Sequence, residues 1–378
     1  MDLNQQALDI HKKYKGKITT SLRDTDEMTR EKLSLYYSPG VGAVSSEIAK
    51  HPETLREYTW TNNLVAVISD GSAVLGLGDI GAKGAMPVME GKALLFKHFA
   101  NIDSVPIVLD VHTPNEIVET IKAMAPSFGA INLEDIAAPK CFEIEERLKA
   151  GLDIPVFHDD QHGTAVVVLA GLINAMKVVN KNLGDCKIAM VGAGAAGTAI
   201  AKLLHQYAQP EIIIVDSKAI ISRNRTDLNE EKKILLDFSN PNNVDGTLED
   251  TILDADIFIG VSKAELLTEA MVKSMAQDPV IFALANPTPE IMPDVAKKAG
   301  TAIIATGRSD LPNQVNNAVA FPGIFRGALD NGVHKITDAH KIAAAEAIAA
   351  LIENPSSENI IPSVFNEELV PSIANVIH

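Results

Sequence analysis

The chain has 378 residues, of which 46% are hydrophobic and 22% are charged, so it is not disordered, and its length favours two domains over one. Its formal net charge of −16 argues against nucleic acid and anionic membranes as partners, because neutralising phosphate requires clustered lysine and arginine. The polar N-terminus lacks a signal-peptide core, and the two distant cysteines, Cys141 and Cys186, fit a reducing compartment, so we expect a cytoplasmic protein without disulfides.

Four apolar stretches in the first half of the chain predict strands, and each ends in acidic residues. Helical segments lie between some of them, and this alternation predicts a mostly parallel sheet. Because ligands bind outside the carboxyl ends of such strands, we expect these acids to meet there and to form a site for Mg²⁺ or Mn²⁺. The alternative is that each acid caps the next helix. The strands with their acids are 64–70 with Asp70, 105–112 with Asp110, 131–135 with Glu134 and Asp135, and 154–160 with Asp159 and Asp160.

Two other residues of this half can carry proton chemistry. Lys92 follows an apolar stretch and opens an apolar helix. A partly buried lysine near other cations can have its pKa lowered enough to act as a base, although a solvated lysine at a helix start is an equal alternative. One of two adjacent tyrosines, Tyr36 or Tyr37, precedes a Ser-Pro-Gly turn and can donate a proton there or simply pack in the core.

A second α/β unit begins near residue 163, where an apolar run at 163–176 is too short to cross a membrane and is interpreted as a buried helix. The strand, turn and helix at 187–204 contain a Gly-x-Gly-x-x-Gly motif, and the strand at 211–221 carries an aspartate 19 residues after the last glycine. This context predicts a dinucleotide site, with pyrophosphate at the helix N-terminus and ribose on the aspartate. The predicted residues are Gly192, Gly194, Ala195, Ala196, Gly197 and Asp216.

Asp216 disfavours a 2′-phosphate, so NAD is favoured over NADP. NADP stays possible, because Lys218, Arg223 or Arg225 can reach a 2′-phosphate. The runs at 255–261 and 279–287 predict further strands of the same sheet. Loop asparagines follow, whose amides can bind a carboxylate or a nicotinamide carboxamide, with turn formation as the alternative. They are Asn286, Asn316 and Asn317.

Taken together, these features resemble the malic enzyme family in its short bacterial form. The matching segments span nearly the whole chain in the family's order: "YSPGVG", "SDGSAVLGLGDIGAKGAMPVMEGKALLFK", "INLEDIAAPKCFEIE", "VFHDDQHGTA", "VGAGAAG", "FALANPTPE" and "NNAVAFPG". The resemblance implies an α/β fold with a catalytic domain at 1–160, an inserted Rossmann-type NAD(P)-binding domain at 161–314, and a C-terminal helical segment at 315–378 that returns to the catalytic domain.

The resemblance also implies oxidative decarboxylation of L-malate to pyruvate and CO₂ with NAD or NADP and Mg²⁺ or Mn²⁺. In that reaction Lys92 helps to remove the 2-hydroxyl proton, and Tyr37 protonates C3. The residues that the family pattern assigns are Glu134, Asp135 and Asp160 as metal ligands, Asp159 as their support, Lys92 and Tyr37 as catalytic groups, and Asn286, Asn316 and Asn317 as holders of substrate and nicotinamide, with Asn317 favoured for substrate.

One position departs from the pattern of longer eukaryotic relatives, which have a malate-binding arginine where this chain has Ala73. The sequence does not name a replacement. The histidines that flank the two aspartates, His158 and His162, are interpreted as structural residues and not as ligands. The family implies a homodimer, and whether Tyr37 acts in its own subunit or across the interface is open.

Two other functions are considered. A metal-dependent oxaloacetate decarboxylase on the same scaffold needs no hydride transfer, and the intact glycine motif with Asp216 argues against it. A non-catalytic dinucleotide-binding protein has no use for three clustered carboxylates together with Lys92.

Overall fold

Two parallel β-sheets form the centre of the computed structural model, which describes residues 3–74 and 76–378. The first sheet contains strands Leu64–Ser69 (β1), Asp103–Val108 (β2), Ala130–Leu133 (β3) and Val156–His158 (β4). Its order is β2-β1-β3-β4, and every neighbouring pair is parallel. All residues of β1 are buried, as expected for a central strand that is covered on both faces.

Helices surround this sheet, and the first four of them contain no buried residues. Helix α6 begins at a capping box in which the Thr113 hydroxyl and the Glu116 carboxylate each bind the other residue's backbone N–H. The helices are Leu3–Tyr14 (α1), Arg30–Tyr36 (α2), Val41–Lys50 (α3), Leu55–Tyr58 (α4), Gly81–Ala100 (α5), Pro114–Met124 (α6) and Lys140–Gly151 (α7).

A long apolar helix, Asp159–Val179 (α8), joins the two sheets and begins at the residue after β4 ends. By length and composition it is the one helix of the described residues that could cross a membrane, but most of it is buried inside the protein. It packs against β4 of the first sheet and against the later helices Ala195–Ala208 and Asp338–Ala350. The predicted buried helix at 163–176 is therefore confirmed, and it is longer than predicted.

The second sheet has the order β6-β5-β7-β8-β9, again parallel throughout. The order reverses at β5, and ligands of open α/β sheets bind at such a point. The strands are Lys187–Val191 (β5), Glu211–Val215 (β6), Ile257–Gly260 (β7), Val280–Ala283 (β8) and Ile303–Thr306 (β9). The helices are Ala195–Ala208 (α9), Glu230–Leu235 (α10), Leu248–Ile252 (α11), Glu269–Lys273 (α12) and Pro293–Ala299 (α13).

The C-terminal helices are Phe321–Asp330 (α14), Asp338–Ala350 (α15) and Leu369–Ala374 (α16). Helix α14 packs against α5, α15 packs against α8, and α16 packs against α14 and α15. Phe96 of α5 meets two rings of α14 edge-on, with centroid distances of 4.7 Å to Phe321 and 5.1 Å to Phe325. After the second sheet the chain thus returns to the first.

Several predicted boundaries are wrong, such as that of the strand at 211–221, which ends at Val215, and two errors concern the carboxylates and the lysine of the first half. The strand predicted at 154–160 ends at His158, so Asp159 and Asp160 lie in the first turn of α8. Asp is favoured there by the helix dipole, and the uninterrupted apolar pattern hides the change from strand to helix. Lys92 lies within α5 and not at a helix start, because Pro87 and three glycines mask the first turns of that helix.

Candidate active site

Three carboxylates meet where β3 ends and α8 begins. Glu134 and Asp135 directly follow β3, and Asp160 lies in the first turn of α8. One oxygen from each of the three lies within 4.8 Å of the others. Asp160 Oδ2 accepts the backbone N–H of Asp135 at 2.7 Å, and Glu134 Oε2 accepts a hydrogen bond from Asn132 at 2.8 Å. The two predicted acidic pairs therefore supply one compact group of oxygens.

This group of oxygens fits a hard divalent cation such as Mg²⁺ or Mn²⁺. Burial raises the pKa of Asp160 to about 6 and also raises the pKa of Glu134, because a charged carboxylate is poorly solvated there. Repulsion from the Asp159 carboxylate also raises the pKa of Asp160, and repulsion from the Asp160 carboxylate raises the pKa of Glu134. A cation held by the three carboxylates would offset both costs.

Lys92 is buried beside this group, with only 7% of its surface exposed. Its Nζ lies 2.6 Å from Asp159 Oδ2, 2.9 Å from Glu134 Oε1 and 4.4 Å from the centre of the Phe321 ring. Burial lowers the pKa of Lys92, but the Asp159 and Glu134 carboxylates outweigh it and hold the pKa above its ordinary value. The predicted lowering of this pKa is wrong for the chain alone, because the charged neighbours are acids and not cations.

Asp159 binds Lys92 and is not one of the three clustered carboxylates. Its Oδ1 has no hydrogen-bond partner among the described residues and lies against Gly163, where an added Cβ would come within 1.8 Å of it. Burial raises the pKa of Asp159 to about 6, with Lys92 acting in the opposite direction. This location supports the prediction that Asp159 assists the site without being a ligand.

The expectation that all four strand ends meet is wrong. Asp70 is buried, but it pairs with the Lys140 ammonium and accepts a hydrogen bond from the Ser72 hydroxyl at 2.6 Å. Asp110 follows β2, which is an edge strand, and it is exposed. Strand order, which the sequence does not display, decides which acids become neighbours.

Tyr37 lies outside this group within a single chain. It follows α2, is 70% exposed, and its hydroxyl makes no hydrogen bond within residues 3–74 and 76–378. The adjacent Tyr36 donates to Asp24 Oδ2 at 2.7 Å. The catalytic role of Tyr37 therefore stays a prediction, and one subunit does not bring Tyr37 to Lys92.

The glycine motif has the geometry of a dinucleotide-binding turn. Gly192 has φ +111°, and a Cβ on it would lie 2.8 Å from the Val261 carbonyl oxygen. A Cβ on Gly197 would lie 2.0 Å from the Gly192 carbonyl oxygen, so the helix packs on the strand too closely for any side chain. Gly194 is the N-cap of α9, and Ala195 is its first residue. The turn thus leaves the helix N-terminus open for a phosphate.

Asp216 follows β6 as predicted, and two cations hold it. Arg225 binds both of its oxygens, at 2.9 and 3.1 Å, and Lys232 Nζ lies 2.6 Å from Oδ2. Although burial acts to raise the pKa of Asp216, Arg225 and Lys232 hold it well below its usual range. The negative charge that disfavours a 2′-phosphate is therefore balanced inside the protein.

A cavity of about 550 Å³ lies between the acidic group and the glycine turn. Ala73 lines it, where its methyl group offers no charge to a carboxylate. Seven of the fifteen predicted site residues line this one space. They are Asp135, Asp160, Ala195, Ala196, Asn286, Asn316 and Asn317.

Three buried polar residues near the site were not identified from the sequence. Asn132 binds Glu134, and Glu290 fixes the loop around Asn286 by accepting the N–H groups of Ala285 at 3.0 Å and Ser262 at 3.1 Å. Glu145 binds the segment that carries Asp159 and Asp160. For Asn132 in β3 and Glu145 in α7, the available signal was a polar residue among the apolar residues of a strand or a helix face. Glu290 lies in a loop, where that signal is absent.

A group of carboxylates that could hold a divalent metal lies beside a buried lysine and faces a dinucleotide-binding turn across one cavity, which is the arrangement of a nicotinamide-dependent oxidoreductase. The profile of the malic enzyme N-terminal domain matches residues 15–149, and that of the malic enzyme NAD binding domain matches residues 161–376.

The chain is 51% identical to the bifunctional malic/malolactic enzyme of Bacillus subtilis, over 100% of this chain and 92% of that protein. It is 48% identical to an NADP-dependent malic enzyme of Escherichia coli, over 97% of this chain and 48% of that protein. A crystal structure of the NAD-dependent malic enzyme from Thermotoga maritima superposes with a TM-score of 0.95, at 49% identity and 98% coverage of both chains. The chain belongs to the malic enzyme family. This membership confirms the predicted fold class, the oxidoreductase class and the nicotinamide cofactor.

Proposed function

We propose that this protein catalyses the oxidative decarboxylation of L-malate to pyruvate and CO₂ with NAD⁺ or NADP⁺ and Mg²⁺ or Mn²⁺. The observation that carries the proposal is the cavity in which Asp135 and Asp160 face Asn286 and Asn317 next to the dinucleotide turn. That arrangement would bring a metal, a hydroxy acid and a nicotinamide together.

Glu134, Asp135 and Asp160 would hold the metal, which supplies a Lewis acid to the oxygen at C2 of malate when it is bound. Lys92 acts as the base for the 2-hydroxyl proton. Because its ammonium is charged in the chain alone, it must first release a proton, and Asp159 at 2.6 Å is an acceptor within reach. The dinucleotide carries the hydride.

The asparagines hold the substrate. Side-chain amides of Asn286 and Asn317 donate to a carboxylate without adding charge, which suits a site that Ala73 leaves without arginine. Glu290 fixes the backbone just before Asn286, so less of this loop has to be ordered when the substrate binds.

The proposal predicts malate-dependent formation of reduced nicotinamide that requires Mn²⁺ or Mg²⁺ and stops after chelation. The measurement is absorbance of the reduced nicotinamide with L-malate and each metal, run separately with NAD⁺ and NADP⁺. Because Arg225 and Lys232 balance Asp216, we expect a signal with both cofactors. Absence of a metal-dependent signal with either cofactor would contradict the proposal, and pyruvate formed from oxaloacetate in the same preparation would favour the decarboxylase instead.

We also propose that the protein is a cytoplasmic homodimer and that Tyr37 acts in the site of the partner subunit. The surface of residues 3–60 supports contact with a second copy of the chain, because it exposes large apolar side chains that a single chain leaves uncovered. They include Leu8, Leu35, Tyr37, Tyr58 and Trp60. Tyr37 is 70% exposed, whereas Lys92 is buried. A catalytic role for Tyr37 therefore fits a dimer in which the segment of Tyr37 reaches the site of the partner subunit.

If Tyr37 acts across the interface, co-expressed Tyr37→Phe and Lys92→Met chains regain activity, although each variant alone is inactive. Half of the dimers would be mixed and each would contain one complete site, so about a quarter of the unaltered activity is expected for random pairing. Activity of the co-purified chains and light scattering measure this. Lack of recovery in mixed dimers would place Tyr37 in its own subunit, and a monomeric mass would contradict the dimer.

The domain boundaries at 160 and 314 are part of the same proposal. The 4.4 Å approach of Lys92 to Phe321 supports a C-terminal segment, 315–378, that completes the catalytic domain.

A further inference from the structure

Helix α7 places one buried carboxylate directly against the segment that carries the two site aspartates. Glu145 is 5% exposed, and nothing in the proposed reaction uses it. Its Oε1 accepts the backbone N–H of His158 at 3.0 Å, and its Oε2 accepts the ring Nε2–H of His162 at 2.8 Å. One carboxylate therefore holds this segment on both sides of Asp159 and Asp160.

The orientation of this segment decides where both aspartates point. Asp159 Oδ2 reaches Lys92 Nζ at 2.6 Å, and Asp160 Oδ2 reaches the N–H of Asp135 at 2.7 Å. Because β4 passes into α8 without a loop, no flexible residue can absorb a rotation of the first helical turn. A small rotation there would move the metal ligand and the partner of Lys92 together.

Burying the Glu145 carboxylate between α7 and α8 costs desolvation free energy, which an uncharged contact would avoid. Lys149 offsets part of that cost, with its Nζ 2.7 Å from Glu145 Oε1. In return, an ionised carboxylate forms shorter and stronger hydrogen bonds than a neutral group does, and it can accept from both sides of the segment at once. The arrangement favours rigid placement over simple packing.

We propose that Glu145 is a positioning residue. Through the backbone N–H of His158 and the ring of His162, it fixes Asp160 for the metal and Asp159 for Lys92. The inference rests on the proposed function only for its effect on turnover. Its effect on metal binding stands independently. It also gives His162 a role, since its ring connects Glu145 to the helix of the aspartates. His158 takes part only through its backbone N–H, and its ring nitrogens make no hydrogen bond within the described residues.

The test is Mn²⁺ affinity, measured on the full chain by electron paramagnetic resonance of the free ion without malate or dinucleotide. We expect Glu145→Ala to bind Mn²⁺ about 10–100-fold more weakly, as is usual when a group that orients a ligand is lost. Glu145→Gln keeps the shape, accepts from the His158 N–H and can donate to the other tautomer of His162, so it should restore most of the affinity. Glu146→Ala, at the exposed neighbouring position, should bind normally.

A second readout separates positioning from general destabilisation. With malate, Glu145→Ala should lower kcat and leave the KM for NAD⁺ unchanged, because the dinucleotide turn is not altered. Should Glu145→Ala fail to fold, His162→Ala removes one of the two contacts and is expected to weaken Mn²⁺ binding less than tenfold. Unaltered Mn²⁺ affinity in the folded variant, Glu145→Ala or His162→Ala, would overturn the inference. If the protein without substitutions binds Mn²⁺ but does not oxidise malate, only the proposed function is contradicted.

Discussion

Replacing Lys92 with methionine is expected to lower kcat for malate oxidation by a factor of about 10²–10⁴, the usual contribution of a positioned acid or base. The same change leaves the buried Asp159 and Glu134 carboxylates without their cation. Removing one partner of a buried ion pair commonly costs about 3–5 kcal/mol, so the metal-free variant should also unfold at lower denaturant concentration. Steady-state kinetics and equilibrium denaturation measure the two effects.

A double variant separates catalysis from stability. Adding Asp159→Asn to Lys92→Met removes one of the two uncompensated charges, so part of the lost stability should return while turnover stays low. Lys83→Met is the matched control, since Lys83 lies on the same helix, α5, and is exposed. Normal turnover in Lys92→Met would show that Lys92 is only a structural cation.

Replacing Asp160 with alanine is expected to abolish detectable malate oxidation and to weaken Mn²⁺ binding by about 100-fold or more, because loss of a ligand should exceed the 10–100-fold effect of losing its support. Glu134 and Asp135 would remain, but two carboxylates on one side do not enclose a hard cation. The change also frees the backbone N–H of Asp135 that Asp160 binds at 2.7 Å. Titration with Mn²⁺ and the nicotinamide assay check both parts.

Asp153→Ala is the control for this change, because the Asp153 side chain is 95% exposed and lies just before β4, the strand that leads into the helix of Asp160. It removes one negative charge from the protein without touching the site. If Asp160→Ala bound Mn²⁺ as well as Asp153→Ala, the assignment of Asp160 as a ligand would be wrong.

The local features of this site could be predicted from the sequence because they depend on neighbours along the chain. The glycines of the dinucleotide turn are specified by spacing alone, since the turn and the close helix–strand contact at Gly197 tolerate no side chain. The two acidic pairs follow buried strands, which could be recognised from their apolar runs. Their meeting required only that the two strands be parallel neighbours, as β3 and β4 are.

Contacts between distant residues were decided by the tertiary structure. Asp110 also follows a strand, but β2 is an edge strand that β1 separates from β3. Asp70 follows β1 beside β3, yet it pairs with Lys140 and is not one of the three clustered carboxylates. The charge state of Lys92 depends on Asp159, 67 residues away, and no local pattern gives the sign of that effect.

The sequence by itself therefore determined the class of site, because residue type and spacing decide what chemistry is available. Only the tertiary structure decided which groups orient that chemistry. In the sequence Glu145 is one of several acids in a helix, and only packing brings it into contact with His158 and His162. In our proposal Tyr37, which is exposed in a single chain, acts with residues of another subunit. Burial and long-range contact create these roles, and neither is encoded in a short stretch of chain.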